Sequence, residues 1–320
     1  MEYQYYTTDV FTNQLFNGAH IAVFPQASGL SDNLMQQIAN ELNLTGTVFI
    51  FPEDSNKNKE NNSQGFKSEP SRRLRIFNAH EEIDFAAPPI IAAGHILAAT
   101  GELASNEETH ESKLSLQQNI GDIDTYVTHE QDNKSFVQFS LKNITANIDL
   151  FAPDTHELAD FLGLEDKAIN FTHFNPKIVT TEQSYLIIPV RGLDAIQKAA
   201  FNYSAWSRST APATNARQIL LFTNKTFALE GNFHLRLLGP NIGLDEDPPV
   251  GSSIPAFTSY LNSFKKVQSG THTFTVERGS RNTRQSILQI EAKLSKTDLI
   301  SMRIGGSAVS VSEAKIHIPG

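Results

Sequence analysis

Phe85-Ala86-Ala87-Pro88-Pro89-Ile90-Ile91-Ala92-Ala93-Gly94-His95-Ile96-Leu97-Ala98-Ala99 is the stretch on which the fold turns. Proline is tolerated in a first helical turn, because its missing N–H has no intrahelical partner there. Gly101 stands where a C-terminal glycine belongs. The residues between are apolar on nearly every side, so the predicted helix has to be buried all round. Val250-Gly251-Ser252-Ser253 opens a second mostly apolar helix, predicted through Leu261.

Short stretches rich in Val, Ile, Phe and Tyr surround both helices and read as strands. Before and just after the first helix they fall at 3–11, 20–24, Thr47 to Phe51, Leu74 to Phe77, Ser115 to Asn119, Asp124 to His129 and Phe136 to Leu141. Around the second they fall at 177–180, 184–189, 218–223, 233–238, 273–277, 286–294, 299–304 and 308–317. An amphipathic helix is predicted from Asp32 to Leu42, with Leu34, Met35, Ile38, Ala39 and Leu42 on one face and Ser31 as N-cap. A short helix over 154–163 ends at Gly163. Glu53 to Arg73 is polar and reads as a long mobile hairpin loop. A lone helix wrapped by a curled sheet buries itself without a second helical layer. The expected class is therefore α/β (α+β): two similar domains, 1–148 and 149–320, each a curved, mostly antiparallel sheet or barrel around a central helix. The last strands are free to cross back to the first domain.

Composition excludes several functions. The net charge is −9, and no run of five basic residues occurs, so nucleic acid and anionic membrane surfaces are poor partners. No apolar stretch approaches the roughly 18 residues that a membrane span needs. The N-terminus has neither a basic region nor an apolar run, so it does not read as a signal peptide. There is no cysteine, which removes disulfides and thiolate chemistry and fits a cytoplasmic protein. No His/Asp/Glu spacing points to a metal, no glycine-rich loop points to a phosphate, and no Ser–His–Asp order points to a nucleophile.

Several motifs then match one known family in order and spacing. Asp9-Val10-Phe11-Thr12 and Gly18-Ala19-His20-Ile21-Ala22-Val23 are similar to D-x-F-T…G-N-P-x-A-V. Ile38 to Phe49 is similar to I-A-x-E-x-N-L-S-E-[ST]-x-F, and Phe77-Asn78-Ala79 with Glu82 to Pro89 is similar to F-T-P…E-[LV]-x-F-A-G-H-P. Glu246-Asp247-Pro248-Pro249-Val250-Gly251-Ser252-Ser253 parallels E-D-P-A-T-G-S-A. Gly279, Arg284 and Ser286 echo Q-G-x-x-x-G-R-P-S, and Gly305-Gly306-Ser307-Ala308-Val309 echoes G-G-x-[AG]-x-V. From about residue 3 to the C-terminus, the chain resembles the PhzF-like (phenazine-biosynthesis) isomerases.

The resemblance implies a diaminopimelate-epimerase-like fold, a ligand cleft between two domains, and a homodimer. It implies a cofactor-free proton transfer on a small carboxylate-bearing metabolite. It also places the family's proton-shuttling Glu at Gly46 and its assisting His at Pro88, neither of which can titrate. Ala87, Val250 and Ala19-His20 replace further family residues in the same region. Asp247 is retained, either as a general acid or hydrogen-bonding anchor or as a turn residue before Pro248. Gly251, Ser252 and Ser253 are retained as candidates to bind a ligand carboxylate, with N-capping as their ordinary role. His20 is a candidate replacement acid–base group, or else an ordinary loop histidine. His80 has Glu81 and Glu82 as potential partners, and His95 reads as a hydrogen-bonded core residue. Three functions stay open: a divergent isomerase or epimerase, a catalytically inactive binder of a small anionic metabolite, and a structural or partner-binding protein.

Overall fold

The computed structural model describes residues 1–52, 70–104, 106, 108–130, 134–149, 151–243, 247–264, 268–280, 283–295 and 298–318. Most of the polar stretch after Glu53 lies outside the described residues. The chain divides into two compact units: Met1–Leu141 with Arg303–Gly320, and Lys142–Met302.

The first unit contains strands β1 (Glu2–Val10), β2 (Ala19–Phe24), β3 (Gly46–Pro52), β4 (Ser71–Phe77), β5 (Glu82–Ile83), β6 (Glu111–Gln118), β7 (Gly121–His129) and β8 (Lys134–Lys142). Its helices are α1 (Asp32–Leu42) and α2 (Ala87–Ala99). The long last strand β16 (Leu299–His317) completes it. Neighbouring strands run β1-β2-β3-β4-β6-β7-β8-β16, and β1 pairs with β16, so the sheet closes into an eight-stranded barrel without free edges. The two parallel pairs, β2–β3 and β4–β6, are the places where a helix has to carry the chain across. α1 makes the first crossing and α2 the second.

α1 forms where predicted, with Ser31 as the predicted N-cap; the C-cap is an addition from the structure. Ser31 Oγ accepts the Leu34 N–H, and Asn43 ends the helix in the left-handed region at φ 45°. α2 is buried from Ala87 through Leu97. Gly94 has no side chain because none fits: a Cβ there would lie 2.8 Å from Val137 Cγ1 and 3.3 Å from Val127 Cγ2. His95 sits on the same helix, with Nδ1 2.7 Å from Ser135 Oγ and Nε2 2.9 Å from Ser310 Oγ. It is a hydrogen-bonded core histidine, and burial pushes its pKa down to about 4.

The second unit contains β9 (Asn147–Asp149), β10 (Lys177–Thr180), β11 (Ser184–Pro189), β12 (Gln218–Thr223), β13 (Phe233–Leu238), β14 (Gly270–Arg278) and β15 (Ser286–Leu294). Its helices are α3 (Thr155–Leu162), α4 (Gly192–Lys198), α5 (Tyr203–Arg208) and α6 (Ile254–Asn262). From β10 to β15 the pairings alternate antiparallel, parallel, antiparallel, parallel, antiparallel. The series β1-β2-β3-β4-β6-β7 has the same alternation. The duplication expected from the sequence is therefore a duplication of topology, and α6 occupies the crossover that corresponds to α2. Ile254 through Tyr260 are buried. Phe222, Phe233 and Phe274 pack around Phe257 of α6, with ring centroids 5.1–6.4 Å apart.

Two expectations are corrected, and two elements are added. Strands 299–304 and 308–317 are one continuous strand, β16. Gly305 does not break it; a Cβ there would come within 2.7 Å of Phe136 Cζ, so the glycine permits close packing instead. The strand expected from Leu74 already starts at Ser71. The short amphipathic helices α4 and α5 carry little sequence signal and were not foreseen. They pack Ala195, Ile196, Ala205 and Trp206 onto the second core.

Candidate functional site

β1 and β2 are antiparallel, and Asp9 and His20 are register partners. The two side chains therefore emerge on one face of the barrel wall. His20 Nδ1 lies 2.6 Å from Asp9 Oδ1. The other carboxylate oxygen accepts the Phe16 N–H at 2.6 Å. Phe16 itself has φ 66°, a left-handed conformation that this bond helps to hold. Asp9 is wholly buried, whereas the His20 side chain is 26% exposed. No described residue hydrogen-bonds to Nε2 of His20. A carboxylate on Nδ1 selects the tautomer whose Nε2 carries a lone pair, and supports the imidazolium once that nitrogen takes a proton. The arrangement is suited to moving a proton.

Gly46 and Pro88 belong to the same unit. Gly46 starts β3 opposite Ile21, the residue after His20. Its φ is not in the left-handed region, so the backbone does not demand glycine. A Cβ there would meet Pro89 Cγ at 3.3 Å and Ile21 Cδ1 at 3.5 Å. The position the resemblance assigns to a proton-carrying Glu is thus bordered by two apolar side chains, with the Phe77 carbonyl oxygen next at 3.9 Å. Pro88 and Pro89 stand in the first turn of α2, and Ala86 offers no side-chain cap. They remove two backbone donors that a helix start would otherwise present to an anion.

In the second unit, Gly251–Ser253 form a single 3₁₀ turn leading into α6. The N-capping role expected for the serines is not observed. Ser253 is buried, and its hydroxyl donates back to Val250 O at 2.7 Å rather than accepting from the helix. Pro255 already removes a donor from the first turn, so the turn satisfies its own groups. Ser252 is half-buried, while Gly251 is buried. Asp247 lies just before this turn. Its Oδ2 is 3.5 Å from Nε of Arg278, a residue that sequence reasoning missed although it directly precedes the motif glycine, Gly279.

His80 forms no ion pair with Glu82, because Arg75 takes that carboxylate, with Nε 2.8 Å from Oε1. Asp9 was legible only as the first letter of a motif. Its partnership with His20 depends on register, which residue spacing alone does not reveal. A second carboxylate–histidine pair, Glu277 with His234, was likewise invisible. No helix among the described residues is long and apolar enough to cross a membrane.

Comparisons with known proteins bear on family and fold. The family described as phenazine biosynthesis-like protein matches residues 8–314. An uncharacterized isomerase of Mesorhizobium japonicum is 31% identical over 317 residues, covering 98% of each chain. The trans-2,3-dihydro-3-hydroxyanthranilate isomerase of Pseudomonas aeruginosa is 20% identical over 99% of this chain and all of its own. A crystal structure of the Bacillus anthracis phenazine biosynthesis protein of the PhzF family superposes with a TM-score of 0.80 at 19% identity, covering 99% of this chain and 100% of that one, a likeness of fold. With its epimerase-like fold and a match spanning nearly its whole length, the chain belongs to the phenazine biosynthesis-like family of PhzF type.

Proposed function

We propose that this protein is an isomerase that moves a proton on a small carboxylate-bearing metabolite, with His20 as the proton carrier and Asp9 as the group that orients it. The observation that carries the reading is the 2.6 Å bond between a fully buried carboxylate and a partly exposed imidazole. It supplies a titratable group in a unit where Gly46 and Pro88 cannot. In this reading Nε2 of His20 takes a proton from one carbon of the substrate and returns it to another. Asp9 accepts from Nδ1–H and keeps the ring oriented. Within the second unit, the retained Asp247 is a further candidate group, as an acid or hydrogen-bonding anchor. Of Gly251, Ser252 and Ser253, the half-buried Ser252 is the one left to contact a substrate carboxylate, since Gly251 is buried and the Ser253 hydroxyl is held by Val250 O.

A second reading, a non-catalytic binder of a small anionic metabolite, draws its support from the same two replacements, Gly46 and Pro88. One experiment separates the two. The purified protein at high concentration is given trans-2,3-dihydro-3-hydroxyanthranilate in D₂O, beside His20→Ala and Asp247→Asn. Isomerisation with deuterium uptake that falls by ~10²–10⁴ in His20→Ala supports the proposal. Turnover unchanged in His20→Ala removes His20 from the chemistry. Absence of turnover and of exchange, with measurable binding of the compound, favours the binder.

A further inference from the structure

Arg278 ends β14 and faces Ser286, the first residue of β15, in antiparallel register. The two side chains therefore share a face of the sheet. The hairpin between them fixes the arginine. Gly279 turns at φ 87°, and a Cβ there would lie 2.5 Å from Arg284 O. That close approach lets Arg278 Nη1 donate to the same carbonyl at 2.8 Å. One end of the guanidinium is thus tied to its own hairpin, and the other end points at Asp247.

This polar set is incomplete. Arg278 Nε, Asp247 Oδ1 and Ser286 Oγ are all buried atoms with no hydrogen-bond partner among the described residues. The Arg278 and Asp247 side chains are 7% and 17% exposed, and their 3.5 Å contact falls outside good hydrogen-bond geometry. Burial depresses the pKa of the guanidinium, Arg284 adds to that effect, and Asp247 opposes it. Buried polar atoms are nearly always paired, and a cluster of three exceptions in one place calls for a cause. Catalytic hydrogen bonds are commonly long without substrate and tighten once it binds.

We infer that Arg278 is the positioning residue of Asp247: a guanidinium anchored at Nη1 to Arg284 O holds the carboxylate through Nε, and that loose contact closes when the Asp247 carboxylate engages a ligand. This rests on the reading that Asp247 takes part in the reaction. Arg278 does not touch the reacting atoms; it sets which way the carboxylate faces. Lysine lacks the planar fork and glutamine lacks the charge, so neither replaces it fully.

The test is a double-mutant cycle with Arg278→Gln, Asp247→Asn and the double variant, together with Arg278→Lys. kcat and KM are measured on trans-2,3-dihydro-3-hydroxyanthranilate, Kd on the stable analogue 3-hydroxyanthranilate, and unfolding in urea. Positioning predicts that Arg278→Gln lowers kcat roughly tenfold or more while KM moves much less, and that it costs nothing further once Asp247→Asn is present. Arg278→Lys recovers part of the loss, and also serves as the variant if Arg278→Gln does not fold. Losses in kcat or Kd that multiply in the double variant, or an Arg278→Gln protein with unchanged kcat, overturn the inference. If the wild-type protein neither turns over nor binds these compounds, the functional proposal fails by itself. The urea cycle then decides the pairing: non-additive destabilisation supports an Asp247–Arg278 coupling, and additive destabilisation overturns it.

Discussion

His234 and Glu277 face each other across the parallel strands β13 and β14, with His234 Nδ1 2.7 Å from Glu277 Oε1. The same carboxylate accepts the backbone N–H groups of Phe227 at 2.7 Å and Ala228 at 2.8 Å. Asp9 is used in the same way in the other unit, binding His20 and the Phe16 N–H. In each case a carboxylate on one strand fastens a histidine on the next strand and a loop beside it. Exposure separates their roles. The His234 and Glu277 side chains are 4% and 3% exposed, so that pair holds structure, whereas His20 is open enough to exchange a proton.

Replacing Glu277 by Ala leaves two backbone donors and a histidine without their acceptor in a buried place. A loss of about 3–5 kcal/mol is expected, the usual cost of breaking a buried pair by removing one partner. Urea unfolding measures it. A loss below ~1 kcal/mol would show that water replaces the carboxylate without penalty.

Asp9→Asn keeps an acceptor for His20 Nδ1 but no longer supports a charged imidazolium. In a protein with measurable turnover, kcat should fall by ~10² or more. Part of the change reflects the loop, because the amide cannot accept both Nδ1–H and the Phe16 N–H as a carboxylate does. Comparing Asp9→Asn with Phe16→Pro, which removes the backbone donor but keeps the Asp9 carboxylate, separates the two contributions. Equal losses in both variants would assign the effect to the loop.

His95 makes stability depend on pH. Its pKa in the fold is pushed down to about 4, against an ordinary value near 6.5. Between these values the unfolded chain binds a proton that the folded chain does not. Stability from this residue is therefore complete above about pH 6.5, falls as the pH drops towards 4, and levels off below. The whole effect is on the order of 3 kcal/mol. His95→Gln stays neutral over that range and should show a shallower decline of the urea midpoint between pH 6.5 and 4. Parallel declines in the two proteins would contradict the assignment.

Gly94→Ala inserts a methyl group 2.8 Å from Val137 Cγ1, inside the barrel. Ordinarily Ala favours a helix over Gly by about 1 kcal/mol. Here overpacking is expected to dominate and destabilise the protein by ~1–3 kcal/mol, seen as a lower thermal midpoint. A variant as stable as wild type would mean that β7 and β8 move away from α2 freely.

Local chemistry determined much of this protein. The caps of α1 came from Ser31 and Asn43, and the buried character of α2 from its unbroken apolar composition. Strands β10, β11, β12, β13 and β15 followed from compact runs of branched and aromatic residues bounded by turns. The ordered motifs carried family and fold. Tertiary structure alone decided which side chains meet. Asp9 meets His20 because β1 and β2 pair in one particular register, and Arg278 reaches Asp247 because a tight hairpin ties its guanidinium down. A shift of one residue in either sheet would send those side chains to opposite faces. Register is set by packing along the whole of each strand, so no short stretch of sequence contains it.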